Sequence, residues 1–351
     1  MGNYTWLLKR KLLGNNISIQ SNRQNTINIL LCSDKNVIRG MGVTIVSILE
    51  NISAPCTVHI AFNGELPEHE EVRFRELSLK YEVPIMFYWI DDTKLSQLYS
   101  HSFINQTAYY RLVVPYILHE AGIEKCLYLD TDILCVGDFT QWYHRDLKGY
   151  IAYVTKDATS KPMLREHTTC VKLGMKGKLY FNSGILLINI PEYVKADIGN
   201  KAIALCQKQN FDAMDQDVMN VLMEGKVVLD DTYAYNCGLS VRNHEVPETI
   251  YFIHFTGSKK PWKLCTSKIR KQSYLRLLSQ HSWKNHYYEV WRKYATLSPW
   301  KDEPFELPKN HREWRYVYTM YFQTGNIYKA VHSLITFLQV RHKEKRAEKN
   351  R

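Results

Sequence analysis

The eight cysteines form no Cys-x-x-Cys pair, and no apolar run reaches the roughly 18 residues that a membrane-spanning helix needs. The first absence argues against thiol-clustered metal sites and a disulfide framework. Cys32, Cys126 and Cys135 lie inside or beside apolar runs, as buried reduced thiols in a reducing compartment would. The start, MGNYTWLLKRKLLGNN, lacks a clean apolar stretch and a small-residue cleavage site, so it reads as neither signal nor transit peptide. No internal repeat or low-complexity tract is visible. The first apolar run leads into LLCSDKNVIRGMG, which has no Gly-rich phosphate loop before its helix pattern.

The 351 residues are 45% hydrophobic and 23% charged, an ordinary globular composition that allows one large domain with a smaller appendage. The net charge of +11 is unevenly spread. Residues 259–351 carry 21 Lys+Arg against 7 Asp+Glu, and the preceding residues carry 25 against 28. The basic character therefore belongs to the C-terminal quarter, where an anionic membrane or a nucleic acid would each find a complementary surface.

Residues 27–33, 56–62 and 84–90 read as buried strands, with helical spacing over 38–52 and 68–82 between them. This β-α-β-α-β alternation predicts a mostly parallel sheet flanked by helices. A helix over 107–118, a strand over 126–129, an apolar strand ending 180–190, a helix over 215–224 and a short strand over 251–255 continue it. Residues 1–25 read as a loose arm. Basic, Trp/Tyr-rich helices follow residue 259, with a Pro-bearing break at 298–308 and a last helix from Ile327.

The strand CLYL ends in Asp130-Thr131-Asp132. Two carboxylates at i and i+2 of an extended chain point the same way. At the C-terminal end of a central strand they face the crevice where α/β sheets bind ligands. Their hard oxygens suit Mg²⁺ or Mn²⁺, and such an ion can bridge phosphates. The pattern is not specific alone, since Asp215-Gln216-Asp217 repeats it; a solvated turn is the other reading. After a later strand comes HFTGSKKPW. There His254 can complete a carboxylate metal site or be an ordinary core histidine, Gly257 would allow close backbone approach to a phosphate, and Lys260 can neutralise one. Asp34 and Asn36, after the first strand, either read a base or ribose or make a turn and helix cap. Arg111 in its helix can grip phosphate or carboxylate, or form a surface ion pair. Asn182 and Ser183 are small polar groups suited to hydroxyls.

Taken in order, ILLCSDKN, YYRL, YLDTDIL, YFNSGILLIN, MDQD and HFTGSKKPW resemble glycosyltransferase family 8, the retaining enzymes of GT-A fold. SPWKDEPF and a Tyr-rich basic helix containing Phe322 and Gly325 look like the C-terminal region of bacterial lipopolysaccharide core glucosyl- and galactosyltransferases. The resemblance implies a GT-A catalytic domain over 26–262 and a basic helical region over 263–351 for acceptor or membrane surface. It implies Asp130, Asp132 and His254 as metal ligands and a UDP-sugar, UDP-glucose or UDP-galactose, as donor. Cys32, Asp34 and Asn36 then stand near uracil and ribose, Thr131 in the donor site, and Gly257 and Lys260 at the diphosphate. Arg111, Asn182, Ser183 and Asp215 match donor-sugar contacts, and Gln216 faces the anomeric carbon. Lys35 departs from the pattern, since some relatives carry a second acid there.

The expected reaction transfers glucose or galactose with α linkage to a lipopolysaccharide core. The expected location is cytoplasmic, peripheral on the inner membrane, with no nucleic acid as partner. Gln216 carries a neutral amide, a poor nucleophile, which favours front-face attack with Asp215 supporting the developing cation. A metal-dependent sugar nucleotidyltransferase and a non-catalytic basic membrane- or nucleic-acid-binding protein are the rival readings. The missing Gly-rich loop counts against the first. The absence of a recognisable binding motif in the basic region counts against nucleic acid, and the intact acidic triplet, His254 and Lys260 count against a non-catalytic binder.

Overall fold

Strands whose residues are apolar without alternation need cover on both faces, and β2 (Ile27–Asp34) is buried at every position. The computed structural model describes residues 6–14, 25–100, 106–157, 168–230, 234–236, 250–257, 260–264, 286–323 and 325–349. Before β2 comes β1 (Leu7–Leu13). After it come α1 (Ile38–Leu49), β3 (Cys56–Asn63), α2 (Glu68–Tyr81), β4 (Ile85–Ile90), a 3-10 turn Gln106–Tyr109 leading into α3 (Tyr110–Glu120), β5 (Lys125–Leu129) and β6 (Ile133–Cys135). Then follow β7 (Ala152–Lys156), β8 (Phe181–Asn189), α4 (Ile190–Lys195), α5 (Ile198–Lys208), α6 (Asp215–Leu222), β9 (Val227–Leu229), β10 (Ala234–Asn236) and β11 (Phe252–His254). The order in the large sheet is β1-β4-β3-β2-β5-β8-β7-β9, and β10-β11-β6 make a second, small sheet.

Side chains alternate between faces along a strand. On one face Leu30, Cys32, Ala61, Tyr88, Cys126 and Tyr128 join residues of α3 to α6 in a single core cluster. On the other, Phe87 lies edge-on to Phe74 of α2 with centroids 5.2 Å apart. The sheet is mostly parallel, as expected, but β8 runs antiparallel to both β5 and β7. This reversal turns the residues before Ile185 back toward the end of β5.

The expected loose arm is, over Leu7–Leu13, an edge strand antiparallel to β4; residues 1–5 and 15–24 lie outside the described residues. The segment LLKRKLL hides its strand character because an edge strand is half solvated. Lys9 stacks over Trp89 at 5.1 Å and Lys11 pairs with Glu71 at 2.6 Å. Charges of this kind also discourage edge-to-edge pairing.

The chain divides into two compact units, Met1–Thr256 with Leu297–Trp300, and Gly257–Thr296 with Lys301–Arg351. The second holds most of α7 (His286–Leu297), α8 (His311–Gln323) and α9 (Ile327–Lys349). Within it Trp262 packs on Trp291 with centroids 5.6 Å apart, and Arg292 lies over Phe305 at 4.4 Å. In the α8–α9 pair, Tyr318 meets Phe337 edge-on and His311 binds Glu344. No described helix is long and apolar enough to cross a membrane.

Candidate active site

Three short stretches of backbone bring the acidic triplet, His254 and the Asn182–Gly184 segment together. Strand β5 stops at Leu129, and the Asp130 N–H donates to the Gly184 carbonyl at 2.9 Å, which continues the β5–β8 ladder by one residue. The chain then turns through Thr131 and Asp132 into β6. The buried Thr44 hydroxyl of α1 steadies this turn, 2.6 Å from the Ile133 carbonyl and 3.1 Å from that of Thr131. Strand β11 pairs antiparallel with β6, setting His254 opposite Ile133, and the Phe255 N–H donates to the Asp132 carbonyl at 3.0 Å. An imidazole more than a hundred residues away in sequence thus arrives beside the two carboxylates.

His254 Nε2 lies 3.2 Å from Asp132 Oδ1 and 3.6 Å from Asp130 Oδ2. One ligand atom from each of the three residues falls within 4.8 Å of the others. Two hard oxygens and one imidazole nitrogen form a donor set that suits Mn²⁺ or Mg²⁺. The residues fit such an ion in a further respect. Gly184 lies under the cluster, where a Cβ would come 2.4 Å from His254 Cε1 and 2.6 Å from Asp130 Oδ2. The buried Nδ1 of His254 has no hydrogen-bond partner among the described residues, so Nε2 is the ring atom turned to the carboxylates.

Arg111 joins this cluster to a second one. It sits in the first turn of α3, nearly fully buried, with its guanidinium 4.5 Å over the Tyr128 ring. Its Nη2 is 2.9 Å from Asp130 Oδ1, its Nε 3.1 Å from Asp215 Oδ2, and its Nη1 donates to the Ser183 carbonyl and hydroxyl at 2.8 and 3.0 Å. Burial opposes the guanidinium charge, but Asp130 and Asp215 outweigh it and push the Arg111 pKa up. Burial pushes the Asp215 carboxyl up to about 6; Arg111 pulls it down and Asp130 adds to the rise. Tyr128 donates its hydroxyl to Asp130 Oδ1 at 2.7 Å.

Gln216 follows Asp215 in the first turn of α6. Its Oε1 accepts from the Ser183 backbone N–H at 3.0 Å and from Asn182 Nδ2 at 3.1 Å, while its Nε2 donates to the Tyr180 hydroxyl at 3.1 Å. A backbone N–H can only donate, so this contact fixes which end of the amide is oxygen. Tyr180 in turn donates to Asp217 Oδ1 at 2.5 Å, and Asn182 also reaches Asp157 Oδ1 at 3.2 Å. A cavity of about 670 Å³ opens beside Asp157, Tyr180 and Gln216.

Asp34 and Asn36 stand apart from this network, at the end of β2. The Asn36 N–H donates to Asp34 Oδ1 at 2.8 Å, the local turn foreseen as one alternative. Both also line a cavity of about 700 Å³ with Asn63, Gly64 and Thr107. Cys32 is buried in β2, and burial pushes its thiol up. Gly257, at φ +80, and Lys260 belong to the second unit.

Tyr128, Thr44, Gly184, Tyr180 and Asp157 join the site without having been expected from the sequence. Tyr128 was within reach, since it stands two residues before Asp130 on the same strand face. Tyr180 and Gly184 flank Asn182 and Ser183 in sequence, and the Gly184 N–H donates to Asn182 Oδ1 at 3.0 Å; Thr44 and Asp157 meet the site only through tertiary contacts.

A model of glycosyl transferase family 8 matches residues 28–265, and a model of the family 8 C-terminal region matches residues 286–340. The chain is similar to the lipopolysaccharide glucosyltransferase WaaO of Escherichia coli K12, with 29% identity over 310 residues, 83% of this chain and 84% of that one. It is similar to a lipopolysaccharide 1,3-galactosyltransferase of Salmonella typhimurium, with 28% identity over 279 residues, 76% of this chain and 82% of the other. A crystal structure of an active-site mutant of LgtC superposes with a TM-score of 0.62 at 20% identity, covering 82% of this chain and 99% of that one. That likeness establishes the GT-A fold. With a family model spanning well over half its length, the chain belongs to glycosyl transferase family 8.

Proposed function

We propose that the protein is a retaining, metal-dependent hexosyltransferase that moves glucose or galactose from a UDP-sugar to a lipopolysaccharide core oligosaccharide with α linkage. The observation that carries this reading is the convergence of Asp130, Asp132 and His254, tied through Arg111 to Asp215 and Ser183, in a family 8 chain. The lipopolysaccharide acceptor rests on the names of the similar proteins from Escherichia coli and Salmonella typhimurium.

Asp130, Asp132 and His254 would hold the cation, Mn²⁺ or Mg²⁺, with Thr131 between the two acids. Bound there, it would supply Lewis-acid stabilisation of the negative charge that builds on the departing diphosphate. Arg111 carries its charge deep in the site and holds Asp130 and Asp215 at set positions, a preorganised arrangement that needs no rearrangement during reaction. Asp215, Asn182 and Ser183 are assigned to the donor hexose. The cavity beside Asp34 and Asn36 is assigned to uracil and ribose; for Cys32 the base contact rests on the family pattern. For Gly257 and Lys260 the diphosphate role rests on the family pattern.

The Gln216 amide oxygen already accepts two N–H groups, which leaves it a still poorer nucleophile. This supports front-face attack, in which Gln216 and Asp215 stabilise positive charge at the anomeric carbon and the phosphate takes the acceptor proton. The cavity beside Asp157 and Gln216 is the place assigned to the acceptor sugar. The basic C-terminal region is assigned to an anionic surface, the cytoplasmic face of the inner membrane.

The test is hydrolysis of UDP-glucose and UDP-galactose with and without Mn²⁺. UDP release that depends on the metal and is lost in Asp132→Asn supports the reading; metal-independent or absent release rejects it. Gln216→Ala is expected to lower kcat with little change in donor KM, and a near-native kcat would remove Gln216 from the mechanism.

A further inference from the structure

Asp215 and Gln216 are aimed by the residue before them, and that residue has an unusual backbone. Met214 has φ 49 and ψ −120. Glu82 and Asp197 also have positive φ, but their ψ values of 39 and 42 place them in the ordinary left-handed region at helix ends. Met214 lies outside that region. Its dihedrals are those of the first central position of a type II′ turn, the mirror image of type II. The turn is closed as that type requires, because the Gln216 N–H donates to the Ala213 carbonyl at 3.0 Å. Glycine is the residue this position calls for, since any Cβ crowds the backbone there.

Several interactions resist relaxation of this strained residue. The Met214 side chain is fully buried, in the same core cluster as Ile203, Cys206, Phe211, Val218 and Met219. The Asp217 carboxylate accepts the Ala213 N–H at 2.8 Å, which clamps the turn from the helix side. The two residues after Met214 point straight into the site: Asp215 to Arg111, and Gln216 to Ser183 and Asn182. A return of Met214 to negative φ would swing the following peptide and rotate both side chains away together. Strain of this kind persists only where surrounding structure over-determines it, and it concentrates at functional sites.

We propose that Met214 is a positioning residue, whose buried side chain holds the type II′ turn that presents Asp215 and Gln216 to the donor sugar. The donor in this statement rests on the proposed function; the turn itself does not. The side chain acts as an anchor and the backbone as the element it holds out of its preferred state.

Three variants of the full chain separate this role from simple core filling. Met214→Leu refills the volume and is expected to keep most of the wild-type kcat. Met214→Ala and Met214→Gly both lose the anchor, but only Gly accepts the turn without strain. The expected result is that Gly exceeds Ala about tenfold in kcat for UDP-sugar hydrolysis and melts a few degrees higher. A residue that merely fills the core gives the opposite order, because Gly ordinarily costs more backbone entropy than Ala. Ala equal to or above Gly in either readout overturns the proposal. The melting order needs no substrate, so a wild type that releases no UDP would overturn the functional reading and leave the turn to be judged on its own.

Discussion

A methyl group on residue 184 would stand 2.4 Å from His254 Cε1 and 2.6 Å from Asp130 Oδ2, with Asn182 Oδ1 at 3.0 Å. Two of the three residues in the Asp130–Asp132–His254 cluster would have to move to admit it. Gly184→Ala is therefore expected to weaken Mn²⁺ binding by about 10–100-fold, the scale seen when groups that orient ligands are lost. Calorimetric titration reads this directly, and an unchanged affinity would separate Gly184 from the metal cluster. Asp215 offers a second check. Burial raises its carboxyl to about 6, above the ordinary 3.8. The folded state then holds the proton more tightly, so this group favours folding fully below about pH 4 and the contribution is lost as pH rises through about 6. Asp215→Asn does not titrate. Its melting temperature relative to wild type is expected to climb between about pH 4 and pH 7, and a pH-independent difference would contradict the buried carboxyl. Asp130 and Asp132 could be read as a pair from the sequence because they stand two apart directly after an apolar strand, although it is a turn, with the Ile133 N–H donating to the Asp130 carbonyl at 3.3 Å, and not an extended chain that holds them. Gly184 could not, because its constraint comes from two residues that meet it only in the folded chain.

Among the elements, the short segment Leu297–Trp300 belongs to the first unit although its sequence neighbours belong to the second. Trp300 is fully buried, its indole N–H donates to Glu70 Oε2 at 2.7 Å, and its ring meets Phe74 edge-on with centroids 5.0 Å apart. The ring also fills the space over Gly42, where a Cβ would lie 2.2 Å from it. Trp300→Ala is expected to cost about 3–5 kcal/mol, cavity included. Denaturant unfolding measures it, and a loss below about 1 kcal/mol would mean the segment is not part of that core. The Pro-bearing break at 298–308 was legible in the sequence as a stop, but its tryptophan's destination was not. The same holds for β6 and β11. Each has three residues; β11 was legible as a short strand over 251–255, but the pairing of β6 and β11 with each other was not. Strand β2 and helix α2, with long clear patterns, match their expected limits closely.

At the scale of the molecule, charge and apolar exposure both concentrate toward the C-terminus. In α9, Ile327, Tyr328, Val331, Ile335 and Leu338 are all exposed, at a spacing that sets them along one stripe. Lys345 and Arg346 extend the same stripe and are exposed too. An apolar stripe that ends in basic residues is suited to the boundary of an anionic bilayer, where buried apolar area and charge attraction add. The double variant Ile335→Asp with Leu338→Asp is expected to lower sedimentation with anionic vesicles while UDP-sugar hydrolysis in solution is retained. Equal sedimentation of variant and wild type would remove the stripe from membrane binding.

The sequence alone determined an α/β class with a mostly parallel sheet, because buried strands and amphipathic helices write their periods locally, and its ordered motifs carried the resemblance to family 8 that implied the GT-A fold. It also determined that the acid pair ends a central strand and that the basic charge lies in the last quarter. Tertiary structure decided what the acid pair meets. The antiparallel return of β8 brings Gly184 and Ser183 beside Asp130, the β6–β11 pairing brings His254 to Asp132, and the buried Arg111 ties both to Asp215. It also decided the backbone of Met214, where a residue that normally avoids positive φ is held there by packing and by the hydrogen bonds around it. Contacts between segments a hundred residues apart, and a dihedral imposed by packing, leave no periodic trace along the chain; only the folded molecule reports them.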